Sequence, residues 1–307
     1  MHWDQYWNST EGFSSFAELK TQFGYPQEVL ELWENTLLKV EDKELKILDL
    51  ATGKGVLAIW LKMIAVKKHY NIDVFACDAA NLDVTSIRSN DQLIMNMIKQ
   101  VEFSFSTKLE NLPYKTDYFD LAVSQFGFEY SSWDLSLKEL CRVLKKGGRA
   151  VLVVHSKDSP VTCNSRAGIY VMKVLIKMKL FEQLEDLVRI KISKDSHEFN
   201  VRNKELIANL NRLPLGNEHL EWFQDIINNI SKIMRNINSN SLLAIEKLKI
   251  NVNYQLHRLE EQVSASLTKN EIYKAFDNQN NKLKLENVSS LIVEEEHFAW
   301  VVSCEAY

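Results

Sequence analysis

Two carboxylates, each closing an apolar run, bracket a bend rich in small residues. Ile47-Leu48-Asp49-Leu50 leads into Ala51-Thr52-Gly53-Lys54-Gly55 and on into Val56-Leu57-Ala58. The next apolar run, Val74-Phe75-Ala76-Cys77, ends in Asp78, followed by Ala79. Glycine is scarce, 9 in 307 residues, so two glycines two positions apart need a reason. Only glycine turns left-handed at little cost and lets a ligand approach the backbone closely. The pattern reads as strand, tight loop and helix, and the helix start offers outward N–H donors. An acid at the end of the second strand suits a ribose, whose two hydroxyls both donate to it. An acid before the glycines repels a phosphate and attracts a cationic amine.

Three readings of the loop follow. Gly53-x-Gly55-x-x-Ala58 with Asp78 satisfies the dinucleotide fingerprint, which would make the chain an NAD-linked oxidoreductase. Asp49 favours S-adenosylmethionine (SAM), whose amino-acid end carries an ammonium group. The third reading is a structural turn with no ligand. Asp49-Leu-Ala-Thr-Gly53-Lys-Gly55 resembles motif I of the class I SAM-dependent methyltransferases, with Ala51 where that family usually has glycine. The resemblance covers roughly residues 40–157 and the last 25. It implies an α/β fold: a doubly wound, mostly parallel seven-stranded sheet ending in an antiparallel hairpin. It also implies SAM as cofactor, with Asp49, Ala51, Thr52, Gly53 and Gly55 at the amino-acid end and Asp78 and Ala79 at the ribose.

Further along, Leu109-Glu110-Asn111-Leu112-Pro113 is similar to the segment that passes the adenine in this family. The family often has an acid two residues before Glu110, where Lys108 stands. A lysine cannot accept a bond from the adenine amino group, so that recognition falls to groups at Leu109 and Glu110. The fourth strand, Phe119 to Ser124, carries Ser124, Gln125 and Phe126 to the same sheet edge, where strand C-termini gather around ligands. Glu129 and Tyr130 follow beside the expected reaction centre. His155 ends the fifth strand, Ala150 to His155, and its ordinary pKa suits proton transfer near neutral pH. The catalytic candidates are therefore His155, Glu129 and Tyr130. A histidine that merely ends the strand on a backbone bond is the plain alternative. His155 and Asp158 are too few to form a metal site.

The supporting elements read as follows. Residues 1–40 form an aromatic-rich N-terminal helical cap, with Trp3, Tyr6 and Trp7 at helical spacing and Phe13, Phe16, Phe23, Tyr25 and Trp33 beyond. This face either covers the sheet or caps the ligand mouth. Gln27 to Leu38 is a helix with Pro26 at its start. Residues 41–160 form the nucleotide-type core. Leu135 to Leu144 reads as a helix with Lys145-Lys146 in its last turn and Gly147-Gly148 as its stop. Residues 161–282 contain four to six amphipathic helices and almost no glycine or proline. Residues 283–307 return as a hairpin, so the helical stretch is an insertion between strands five and six. A helical unit leaving the ligand edge is expected to roof the site. Its Lys173, Lys177 and Lys179 are read as a solvated cationic face.

Composition narrows the rest. Hydrophobic residues make up 46%, charged residues 25%, and the net charge is −4. That is an ordinary globular chain and not a general binder of polyanions. Four scattered cysteines suit reduced thiols and a cytoplasmic protein. Met1-His2-Trp3-Asp4 is unlike a secretory leader. The expectation is a SAM-dependent methyltransferase acting on a small or medium-sized acceptor under a helical lid, with no nucleic-acid partner, no membrane span and a homodimer through the insertion. The alternatives are a SAM-binding regulator or scaffold without catalysis, and the NAD-linked oxidoreductase.

Overall fold

The computed structural model describes residues 2–9, 24–40, 44–277 and 283–307. Phe13, Phe16 and Phe23 of the aromatic cap lie outside the described residues. The chain forms two compact units: Met1–Pro160 together with Ala265–Tyr307, and Val161–Ser264.

The first unit is built on β1 (Glu44–Leu50), β2 (Asn71–Cys77), β3 (Val101–Ser104), β4 (Phe119–Gln125), β5 (Leu144–His155), β6 (Leu283–Val293) and β7 (Glu296–Ala306). They form one seven-stranded sheet in the order β3-β2-β1-β4-β5-β7-β6. The first five are parallel, and β7 pairs antiparallel with both β5 and β6. The order reverses between β1 and β4, which opens a crevice at their C-terminal ends.

Alternation along the strands sorts side chains to two faces. Leu45 and Ile47 of β1 join the core that holds α2 (Gln27–Leu38), α3 (Val56–Lys68) and α4 (Gln92–Ile98). Leu48 and Leu50 join the opposite core, with α5 (Trp133–Val143) and α11 (Lys269–Asp277). A further helix, α1 (His2–Ser9), precedes them in the chain.

Two sequence expectations change here. Lys145, Lys146, Gly147 and Gly148 belong to β5, not to the end of a helix. Leu144 is already extended, with φ −73° and ψ 140°, and Lys145 Nζ reaches Asp120 Oδ1 of β4 at 2.6 Å. Gly147, at φ +76°, takes the bend where the register with β4 shifts. The other change concerns the helical stretch. Its compact unit stops at Ser264, while Ile272 and Phe276 of α11 are buried in the sheet unit's core.

The helical unit contains α6 (Pro160–Lys177), α7 (Leu180–Ile192), α8 (Ser196–Asn211), α9 (Leu220–Arg235) and α10 (Ser241–Ala265). Its own core gathers Val171, Leu175, Leu184, Leu187, Ile226 and Ile230, all from the periodic positions. The insertion leaves and returns at one point: Ser156 bridges Leu267, and Leu267 N donates to His155 O at 2.9 Å. Among the described residues no helix is long and apolar enough to cross a membrane.

Candidate functional site

Asp49 shares the face of Leu45 and Ile47, so its side chain points toward α3. Its Oδ2 accepts from Thr52 Oγ1 at 2.5 Å and from the Ala58 backbone N–H at 3.1 Å. A carboxylate under a helix start gains from the unpaired donors and the dipole there. Burial dominates all the same and lifts its pKa to about 7; Asp78 nearby adds to the rise. Asp49 therefore organises the bend from beneath and is not on the cleft wall. That differs from the expectation of a carboxylate facing an ammonium group.

The bend itself runs left-handed at Ala51 (φ 55°), Gly53 (φ 54°) and Gly55 (φ 84°). Thr52 N donates to Cys77 O at 3.0 Å, tying the bend to the end of β2. Asp78 completes the tie: Oδ2 accepts from Gly53 N at 2.7 Å and Oδ1 from Ala80 N at 2.8 Å. Burial pushes the Asp78 carboxyl up, and these two donors oppose the rise.

The space beside the glycines is used. A Cβ on Gly53 would lie 2.5 Å from the Trp7 ring, and one on Gly55 would lie 2.7 Å from the Phe103 ring. Gly127, after β4, is held as tightly, because its Cβ would meet Ala51 Cβ at 2.4 Å.

Above the bend lies a cleft of about 310 Å³. Ala51, Asp78, Ala79, Leu109, Glu110, Phe126 and Tyr130 line it, so seven of the residues singled out by sequence converge. Trp3, Trp7, Lys108, Gly127 and Ser131 complete the wall. The helix α1 docks over one side: Asn81 N donates to Asp4 Oδ1 at 2.7 Å, and Trp3 meets Tyr130 edge-on at 5.3 Å. Of the two sequence readings of the aromatic face, covering the sheet or capping the ligand mouth, the second is the one that puts Trp3 and Trp7 on this wall. The i, i+4 spacing was the available signal; the long-range partner was not.

Other candidates hold the framework. Ser124 Oγ donates to Leu50 O at 2.8 Å and accepts from Phe128 N at 3.2 Å, joining β1 to the turn after β4. Gln125 accepts from Trp33 Nε1 in the core. Glu110 lines the cleft and also caps α5 by accepting from Ser132 N at 2.8 Å. Phe126, with φ 55°, takes a left-handed conformation that costs about 1–2 kcal/mol for a side chain of this kind. Phe126 N–H donates to Val153 O at 2.8 Å and fixes it there.

The three proton-transfer candidates cluster around that phenylalanine. Phe126 packs face to face on His155, with centroids 4.5 Å apart, and Tyr130 meets His155 edge-on at 6.3 Å. Glu129 Oε1 accepts from His155 N at 2.9 Å and lies 4.0 Å from His155 Nε2. Glu129 is fully buried, which lifts its pKa to about 7 against the opposing pull of backbone donors. Of the three, Tyr130 lines the cleft; Glu129 and His155 do not.

The wall chemistry discriminates between ligands. Two carboxylates, Asp78 and Glu110, face one cation, Lys108, among four aromatic rings. Such a wall repels a pyrophosphate and attracts a cation, through charge and through ring faces. The lining fits SAM, a cation with an apolar ring system, because carboxylates and aromatic faces share one wall. Among the described residues no group of three or more His, Cys, Asp or Glu is arranged to hold a metal.

Comparison with known proteins bears on the same region. Residues 27–186 match the ubiE/COQ5 methyltransferase family. The ubiquinone/menaquinone biosynthesis C-methyltransferase of Rickettsia massiliae is 28% identical over 128 residues, covering 41% of this chain and 51% of the relative. Its Shewanella baltica counterpart is 27% identical over 149 residues, covering 48% and 57%. The chain thus spans about half the length of the curated relatives it matches. Among solved structures, an S-adenosylmethionine-dependent methyltransferase from Mesorhizobium loti superposes with a TM-score of 0.32 and 17% identity, over 42% of this chain and 53% of that one.

Proposed function

The chain belongs to the ubiE/COQ5 methyltransferase family, and on that premise we propose that it transfers a methyl group from SAM to a small or medium-sized acceptor. The observation that carries this reading is the cleft wall: Asp78 and Glu110 set among aromatic faces at the C-terminal edge of β1, β2 and β4. SAM, when bound, supplies an electrophilic methyl on a sulfonium.

The chain's own residues then bind and orient. Asp78 holds the ribose hydroxyls, and the backbone at Leu109 with the Glu110 carboxylate brackets the adenine. The bend from Ala51 to Gly55, braced from below by Asp49, receives the amino-acid end. Much of the rate in such a transfer comes from holding the acceptor and the methyl close and in line. Phe126 and Tyr130 are the walls that do so. Tyr130 is the polar group that reaches the acceptor, and His155 and Glu129 position it from behind. Glu129, with a pKa near neutrality, is suited to hold or release a proton at working pH.

The activity named for the curated relatives, C-methylation in ubiquinone/menaquinone biosynthesis, directs the first acceptor assays to quinone precursors methylated on carbon. We read the helical insertion as the source of acceptor selectivity. The support is chain order: it departs and returns at the end of β5, beside His155. A second reading, a SAM-binding regulator without catalysis, is favoured by one observation: His155 and Glu129 do not line the cleft. Labelled methyl transfer into a cell extract, split into small-molecule, RNA and protein fractions, separates the two. Label in the small-molecule fraction is expected. Tight SAM binding with no label in any fraction would establish the regulator. Binding of NAD in place of SAM would overturn both.

A further inference from the structure

The cleft wall holds one cation, and the backbone pins it close to Asp78. Lys108 is exposed, Leu109 is buried and Glu110 is half-buried, and all three line the cleft. Among the described residues the Lys108 ammonium makes no ion pair. Its side chain is therefore available to a ligand in the cleft.

The chain around it is fixed. Ser106 turns left-handed, at φ 56°, and carries the backbone back across the end of β2. Ser106 N–H donates to Ala80 O at 3.1 Å, and Thr107 N–H donates to Asp78 O at 2.8 Å. Asn111 N–H donates to Lys108 O at 3.1 Å and closes the turn. Glu110 is held from the other side, its Oε1 accepting from Ser132 N at 2.8 Å. A lysine only donates and a carboxylate only accepts. A donor and an acceptor thus flank one apolar platform, Leu109.

Adenine carries the complementary pair. On its edge remote from the sugar, the ring nitrogen N1 accepts and the neighbouring 6-amino group donates. Asp78 is buried and Lys108 stands at the rim, so a nucleoside anchored through Asp78 turns that remote edge toward the lysine. We propose that Lys108 and Glu110 together read the base of the methyl donor, Lys108 donating to N1 and Glu110 accepting from the 6-amino group. Lys108 is then a specificity residue for the cofactor. A 6-oxo purine reverses both groups and sets donor against donor and acceptor against acceptor. This inference rests on the SAM reading of the cleft.

The test is calorimetric titration of the full chain and its Lys108→Met variant with S-adenosylhomocysteine, its 1-deaza analogue and its 7-deaza analogue. The 1-deaza compound lacks the N1 acceptor, and the 7-deaza compound keeps it. The parent is expected to bind S-adenosylhomocysteine about ten-fold tighter than the 1-deaza analogue, the scale of one hydrogen bond to a charged group. In the variant that preference is expected to vanish. S-adenosylhomocysteine and the 7-deaza analogue each weaken about ten-fold there, while the 1-deaza analogue binds as it does to the parent. If the substitution weakens all three ligands equally, or none of them, the assignment of Lys108 to N1 is overturned and the SAM site stands. No binding of S-adenosylhomocysteine to the parent would overturn the SAM reading and this inference with it.

Discussion

Ala51 and Gly127 fix each other's identity: a Cβ on Gly127 would sit 2.4 Å from the Ala51 Cβ. Neither atom belongs to a side chain that can rotate away. The two residues join the bend after β1 to the turn after β4, the two walls of the cleft. Gly127→Ala is therefore expected to destabilise the chain by roughly 2 kcal/mol, the cost of overpacking a rigid contact. Ala51→Gly in the same chain is expected to restore most of that loss. It also relieves the left-handed strain at residue 51, about 1 kcal/mol. Denaturant melts of the two single variants and the double variant measure the coupling. Additive effects would contradict the contact.

Glu129 makes stability depend on pH. Its folded pKa of about 7 lies above the ordinary 4.5. Between these values the folded chain keeps a proton that the unfolded chain has released. Stability therefore falls as pH rises from about 4.5 to 7 and levels off beyond. Glu129→Gln removes this component and keeps an acceptor for His155 N–H. Its melting temperature is expected to match the parent's near pH 4.5 and to exceed it increasingly up to pH 7.5, by at most roughly 3 kcal/mol of stability. Asp49 contributes a slope of the same sign, but equally in both proteins. Parallel curves over this range would contradict the buried, proton-holding carboxyl.

Trp7 covers Gly53, the point where the loop would receive a ligand. Trp7→Ala is expected to speed SAM association several-fold in stopped-flow measurements, because α1 no longer shields the bend. Unchanged or slower association would mean that the ring is not in the ligand's path.

Tyr130 is the cleft-lining member of its trio. Tyr130→Phe is expected to lower kcat about tenfold or more while leaving SAM affinity within about two-fold. His155→Asn is expected to lower kcat less, since it acts through Tyr130. Loss of SAM affinity in the tyrosine variant would place Tyr130 among the binding groups instead.

Much of this architecture was legible in the residues. The apolar run ending in Asp49, the glycine bend, and the second run ending in Asp78 are local signals, and the sheet places them as expected. Alternation also held the clue to Asp49: with Leu45 and Ile47 on the α3 face, an odd-numbered acid must point under that helix. The features that escaped are long-range. Asp4 meets Asn81 across 77 residues, and Trp7 meets Gly53 through a helix whose docking leaves no periodic trace. The burial of Glu129 depends on β5 passing beside it. Lys145 to Gly148 misled because cations and glycines mark helix ends, and here they serve a strand that bends against β4. Ile272 and Phe276 looked like one more turn of the insertion, since helical spacing does not say which core a face joins.

Asp78 and the bend around Gly53 are expected to form a SAM site. Calorimetric titration of the purified chain with SAM, beside its Asp78→Ala variant and beside NAD, tests it most directly. Saturable one-to-one binding of SAM, a loss of about ten-fold or more in the variant, and no heat with NAD are expected. SAM binding that ignores the loss of Asp78, or saturable binding of NAD, would contradict it.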